Sequence, residues 1–190
     1  MDKSEVKRKK KSTSVYAPTP VLEAEETHIL AILVNNEPGV LARVIGLFSG
    51  RGYNIESLTV AETDHVEQLS RITILCTGTP AVIEQIKFQL ERLIPVLEVA
   101  DLTIEGPHIE RELALVKVSC TGERRIEALR SADIFRARAV DSTLESFVFE
   151  ITGTSEKINA FIELMLPLGL VDVSRTGIAA ISRGKDPIGS

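Results

Sequence analysis

One short stretch of the chain has the residue types of a loop that holds a small charged molecule, Asn36-Glu-Pro-Gly-Val-Leu41. An apolar run ends just before it and a helical pattern begins at Val40. The amides at a helix start have no partner inside the helix and carry the positive end of its dipole, so they can hold an α-carboxylate. The amide oxygen of Asn36 can accept from an ammonium group, and Val40 and Leu41 offer apolar surface beside it. Pro38 pre-sets the first turn, and Gly39 lets another group approach the backbone. A plainer reading fits the same spacing, in which Asn36 only caps the helix and Gly39 only makes the turn.

Elsewhere the chemistry-bearing residues are scattered. There is no phosphate loop of the Gly-x-x-x-x-Gly-Lys type, no Gly-x-Gly-x-x-Gly, no His-Glu-x-x-His, no Cys-x-x-Cys and no Gly-x-Ser-x-Gly. His28, His65 and His108 fall at a strand start, a hairpin tip and a connecting segment, none with a cluster of ligands at metal spacing, so each reads as structural or solvated. Glu110 and Glu112 flank Arg111 and project to one side of a coming strand, which reads as surface or interface. Cys76 and Cys120 sit inside apolar runs and read as buried reduced thiols.

The elements that would position these residues follow from periodicity. His28–Val34 is a nearly continuous apolar run, the pattern of a buried strand. Val40, Leu41, Val44, Ile45 and Phe48 recur at helical spacing, and Gly50-Arg-Gly52 ends the pattern. Ile55–Ala61 and Ser70–Thr77 are strand-like, joined through a polar tip. Thr79-Pro80 opens a second helix with a capping hydroxyl, and Val96–Thr103 closes the unit as a strand. The order then recurs: strand Leu113–Cys120, a weaker helix Glu123–Ser131, strands Arg136–Ser142 and Ser146–Thr152, helix Ser155–Leu166 and strand Leu170–Thr176. The expected fold is α+β, two tandem ferredoxin-like βαββαβ units. Each sheet then has a second face to cover and edges to pair, which points to self-association.

Composition sets the frame. The 190 residues include no Trp, and the core must rest on Val, Ile, Leu and Ala. Lys3, Lys7, Arg8, Lys9, Lys10 and Lys11 against Asp2 and Glu5 leave the first 20 residues at +4, so with a formal net charge of −5 the rest of the chain carries −9. A folded part so acidic argues against nucleic acid. No apolar run has the length of a membrane span, and the expected location is the cytoplasm. The expected organisation is a disordered basic tail over 1–26, a first unit over 27–104, a linker over 105–110, a second unit over 111–185 and a flexible end over 186–190.

The residues become specific when read together. His28-Ile-Leu-Ala-Ile-Leu-Val-Asn-Asn-Glu-Pro-Gly-Val-Leu-Ala-Arg-Val-Ile-Gly-Leu-Phe-Ser-Gly-Arg-Gly-Tyr-Asn-Ile-Glu-Ser-Leu-Thr-Val-Ala61 closely resembles the start of the ACT domain in the small, regulatory subunits of acetolactate synthase. His108-Ile-Glu-Arg-Glu-Leu-Ala-Leu-Val-Lys117, Asp133-Ile-Phe-Arg136, Gly153-Thr-Ser155 and Arg175-Thr-Gly-Ile-Ala-Ala-Ile-Ser-Arg-Gly184 resemble the second domain of the same family, in the same order.

The resemblance implies a non-catalytic chain in branched-chain amino acid biosynthesis. Thiamine diphosphate, magnesium and FAD would belong to a separate large catalytic subunit, and this chain would hold no cofactor or metal and no catalytic residue. It would activate that subunit and confer feedback inhibition by valine, often also by leucine or isoleucine. In the family the effector lies between two ACT domains of a homodimer. Carried onto this sequence, Asn36, Gly39, Val40 and Leu41 come from one protomer and Asn54 and Ile55 from the other, with Ala61 at the margin. Rival readings are an amino-acid-binding transcription module, which would need a helix-turn-helix or basic face, and a small enzyme, which would need an acid or nucleophile. The sequence offers neither.

Overall fold

The computed structural model describes residues 24–188, so the expected tail falls mostly outside the described residues, as do positions 189 and 190. The first unit runs β1 (Glu26–Asn35), α1 (Val40–Ser49), β2 (Ser57–Asp64), β3 (Leu69–Gly78), α2 (Pro80–Glu91) and β4 (Val96–Asp101). The second runs β5 (His108–Ser119), α3 (Glu123–Phe135), β6 (Arg138–Ser142), β7 (Ser146–Gly153), α4 (Ser155–Gly169) and β8 (Leu170–Arg175), followed by β9 (Ala179–Ser182). Both units are βαββαβ, as the periodicity predicts, and the sheet orders are β2-β3-β1-β4 and β6-β7-β5-β8, all antiparallel.

Side-chain alternation explains each core. On β1, Leu30, Ile32 and Val34 meet Val40, Val44 and Phe48 of α1 and Ile83, Ile86 and Leu90 of α2. Ile29 and Ala31 point the other way and are equally buried, against Ala100, Leu102, Ile178 and Ala180. A strand buried on both faces has no polar positions to alternate, which is why β1 reads as a continuous apolar run. In the second unit Ala114, Val116 and Val118 pack on Phe147, Phe149, Phe161 and Met165, while Leu115, Lys117 and Ser119 between them are exposed. Helix α3 buries only Ala128, Ser131 and Ala132, which accounts for its weak pattern.

Five expectations change. Thr79 takes the N-cap position of α2 but its hydroxyl makes no capping hydrogen bond, whereas Thr154 does accept from Lys157 N at α4. The strand that starts the chain's first unit begins at Glu26, inside the stretch assigned to the tail. The linker is shorter than 105–110, because His108–Glu110 already belong to β5 and pair with β9. Residues 186–188 are not a loose end, since Ile188 packs on the cluster around Ala100 and Leu102. Finally, the open face of the first sheet is covered in part by this chain's own C-terminal segment, an arrangement that a search for local periodicity does not reveal. Four residues in β9 follow β8 after a break at Thr176–Ile178, too short a run to stand out.

Candidate effector site

The loop before α1 is built by backbone bonds. Asn35 N donates to Pro95 O at 2.9 Å, Asn36 N to Gln68 O at 2.7 Å and Glu37 N to Asn35 O at 2.8 Å, which pin the loop against both neighbouring strand connections. Gly39 is the N-cap residue with φ +85, a left-handed conformation that favours glycine. A Cβ built there meets nothing within 4 Å, so the position is strained for other residues but open in space.

Asn36 does not cap the helix. No side chain among the described residues makes a capping hydrogen bond at α1, and Asn36 is exposed. Pro38 precedes the helix rather than setting its first turn, and the helical conformation is entered through Gly39. Val40 N reaches Glu37 O at 3.3 Å and Arg43 N reaches Gly39 O at 3.1 Å, while the amides of Leu41 and Ala42 between them have no acceptor among the described residues. The helix start therefore presents unpaired donors beside a free carboxamide. That combination suits a carboxylate next to an ammonium group.

At the other end of α1 the chain turns back, with Tyr53 N donating to Phe48 O at 3.0 Å. The Tyr53 ring meets Phe48 edge-on at 6.3 Å, and its hydroxyl donates to Gln85 Oε1 at 3.1 Å. This holds Asn54 exposed, with Ile55 partly buried against the core, just before β2. Leu41 is likewise half-packed on the core and leaves apolar surface free. Val40 is buried, with its side chain in the core. Ala61 is exposed on β2, the outer strand of the sheet.

The structure thus brings Asn36, Gly39 and Leu41 together at one end of α1, and Asn54 and Ile55 at the opposite end. Sheet register agrees: Asn35 lies opposite Leu69, whereas Ser57 lies opposite Leu75. Four surface clefts of the single chain, two beside the C-terminal segment, one between the units and one between α1 and α2, are lined by none of the seven residues.

The comparisons with known proteins decide the family. Residues 30–98 match the model of the "AHAS small subunit-like ACT domain", and residues 111–184 match that of the "Small subunit of acetolactate synthase". The chain is 50% identical over 157 residues to the acetolactate synthase small subunit of Aquifex aeolicus, covering 82% of this chain and 81% of that one. This chain belongs to the acetolactate synthase small-subunit family. The isozyme 3 small subunit of Escherichia coli is 47% identical over 157 residues, covering 82% of this chain and 95% of that one. Among solved structures, the small subunit from Thermotoga maritima matches with a TM-score of 0.76 and 37% identity, covering 85% of this chain and 99% of that one.

Two of the histidines have carboxylate partners. His28 Nδ1 lies 2.7 Å from Asp101 Oδ2 in a buried pair, and Asp101 Oδ1 accepts from Thr103 N. His65 is exposed in the β2–β3 turn beside Glu62. Cys76 and Cys120 are free and buried, and burial pushes the Cys76 thiol up to about 11. Among the described residues no three His, Cys, Asp or Glu side chains gather as a metal site, and no helix is long and apolar enough to cross a membrane.

Glu112 corrects the surface reading. It is buried, and Arg175 donates to both its oxygens, from Nε at 2.8 Å and from Nη2 at 2.6 Å, while Ser155 Oγ donates at 3.1 Å. The Arg175 hydrogen bonds hold the Glu112 carboxyl below the usual glutamate range. Its partner comes 63 residues later in the chain, so no local pattern points to it.

Proposed function

We propose that this chain is the regulatory partner of a thiamine-diphosphate-dependent acetolactate synthase catalytic subunit, which it activates and makes sensitive to valine, with leucine and isoleucine as overlapping effectors. The observation that carries the reading is the helix start at Gly39, with unpaired amides at Leu41 and Ala42 beside the free carboxamide of Asn36. The amides take the effector's carboxylate. Asn36 and Asn54 receive its ammonium, and Leu41 and Ile55 line the pocket for its aliphatic side chain, with Ala61 at the margin.

Because the two halves of this set lie at opposite ends of α1, the pocket needs a second copy of the chain. A homodimer through the first units, with the outer strand β2 and α1 facing their counterparts, supplies it. A site that spans such an interface couples naturally to dimer geometry, with a typical coupling of about 1–3 kcal/mol. The chemistry, with thiamine diphosphate, magnesium and FAD, is assigned to the catalytic partner. The test is acetolactate formation by the cognate catalytic subunit, with and without this chain, over a valine titration. Activation by the chain followed by loss of activity with valine is the expected result. No activation and no inhibition would overturn the reading.

A further inference from the structure

The segment after β8 joins the two units at the place where the pocket residues begin. Ile178 and Ala180 are buried on the open face of the first sheet, against Ile29, Ala31, Ala100 and Leu102. Two hydrogen bonds fix them there: Ile178 N donates to Ser57 Oγ at 3.0 Å, and Arg71 Nη2 donates to Ala180 O at 2.8 Å. Ser57 follows Ile55 by two residues, and Arg71 is the residue opposite Ala61 in the β2–β3 ladder. One anchor therefore lies on β2, which follows Ile55 and carries Ala61, and the other on β3, paired directly with it.

The other side of the segment is bonded to the second unit. β9 pairs with His108–Arg111 of β5, and the same strand continues through Ala114–Val118 as the centre of the second sheet. A shift at the start of β2 thus has a short, hydrogen-bonded path into the second core. At the junction Gly177 has φ +82, and a Cβ there would stand 2.7 Å from Ser57 Oγ and 2.9 Å from Thr59 Oγ1. Only glycine lets this junction approach β2 so closely.

This contact is incompletely satisfied. Thr59 Oγ1 and Arg71 Nε are enclosed without a hydrogen-bond partner among the described residues, a condition that weakens this contact. A cleft of about 480 Å³ opens beside it, lined by Ser57, Leu58, Arg175, Thr176 and Gly177 among others. An apolar seat with unmet polar groups and adjacent free volume can exchange between two positions at modest free-energy difference.

We propose that β9 and the Gly177 junction carry occupation of the effector pocket to the C-terminal unit, and through it to the catalytic subunit. The inference rests on the pocket reading above. It is tested with Gly177→Ala, which wedges the junction, and with Arg71→Met, which removes the donor to Ala180 and keeps the apolar stem. Valine binding is measured by calorimetry on the full chain, and acetolactate formation is measured on the complex with the catalytic subunit.

The expected result is activation without valine as in wild type, valine affinity within about threefold of wild type, and a fall in activity at saturating valine at least about fivefold smaller. Wild-type binding together with wild-type inhibition in a folded variant would overturn the role of β9 alone. A wild-type chain that binds none of the branched-chain amino acids would overturn the pocket reading, and this inference with it. If Gly177→Ala does not fold, Arg71→Met decides the matter by the same readings.

Discussion

Asn36 and Asn54 flank the two ends of α1, with the buried side chains of Val44 and Phe48 between them. A helix of ten residues is about 15 Å long, so no small amino acid reaches both from within one chain. Each asparagine is exposed, and each lies next to a half-buried aliphatic residue, Leu41 and Ile55 respectively. In the proposed pocket these are two half-sites, which a two-fold axis beside α1 would bring together as two complete ones.

Gly39→Asp is the sharpest change at the first half-site. Its Cβ has free space, and aspartate tolerates left-handed φ better than most residues, so the fold should survive with a small loss of stability. The new carboxylate would stand where the effector's own carboxylate binds. Valine inhibition of the complex should be lost, with activation retained, as read by acetolactate formation with and without valine. Asn36→Ala and Asn54→Ala should weaken inhibition less completely.

Selectivity among effectors should be shallow. A methylene in an apolar pocket is worth about 1–3 kcal/mol, so valine should differ from leucine and isoleucine by no more than about 10- to 200-fold in affinity. Calorimetric titrations of the full chain with each amino acid check this. A much larger gap would call for a polar discriminating group that Leu41 and Ile55 do not provide.

The Glu112–Arg175 pair gives the second unit an acid sensitivity. Its carboxyl is held below the glutamate range in the folded chain by the Arg175 hydrogen bonds, so its stabilisation is fully present above the unfolded-state value of about 4.3 and is lost as pH falls through the lower folded value. Glu112→Gln should lower stability at pH 7 by about 1–3 kcal/mol and flatten the loss of stability as pH falls below the unfolded-state value of about 4.3. Urea unfolding at several pH values measures both.

The two thiols should be silent in the native protein. Cys76 is buried with its pKa raised to about 11, and Cys120 is enclosed in the second core. An aromatic disulfide reagent at pH 8 should react slowly with the folded chain and with both cysteines after unfolding in guanidinium. Fast reaction of either thiol in the native state would contradict the packing described here.

Local signals carried most of the architecture. The turn at Asn36–Gly39, the apolar stripes of α1, α2 and α4, and the alternation in β5 are each decided within a dozen residues, and the repeat of βαββαβ follows from them. Two features were out of reach for the same reason. The Ile178–Ala180 contact with Ile29 and Ala31, and the Glu112–Arg175 pair, depend on residues tens of positions apart, so they leave no periodicity to read. The capping role weighed for Asn36 failed for a different reason, since Gly39 can enter the helix unaided and leaves that carboxamide free.

That the pocket belongs to two copies jointly is tested most directly by mixing Asn36→Ala and Asn54→Ala chains. A mixed dimer carries one site with both asparagines intact and one with neither. Dimers of either variant alone should bind valine weakly, whereas the mixture should regain one wild-type-affinity site per mixed dimer by calorimetry, and with it part of the valine inhibition of the catalytic complex. A mixture that binds no better than its separate components would contradict the shared pocket.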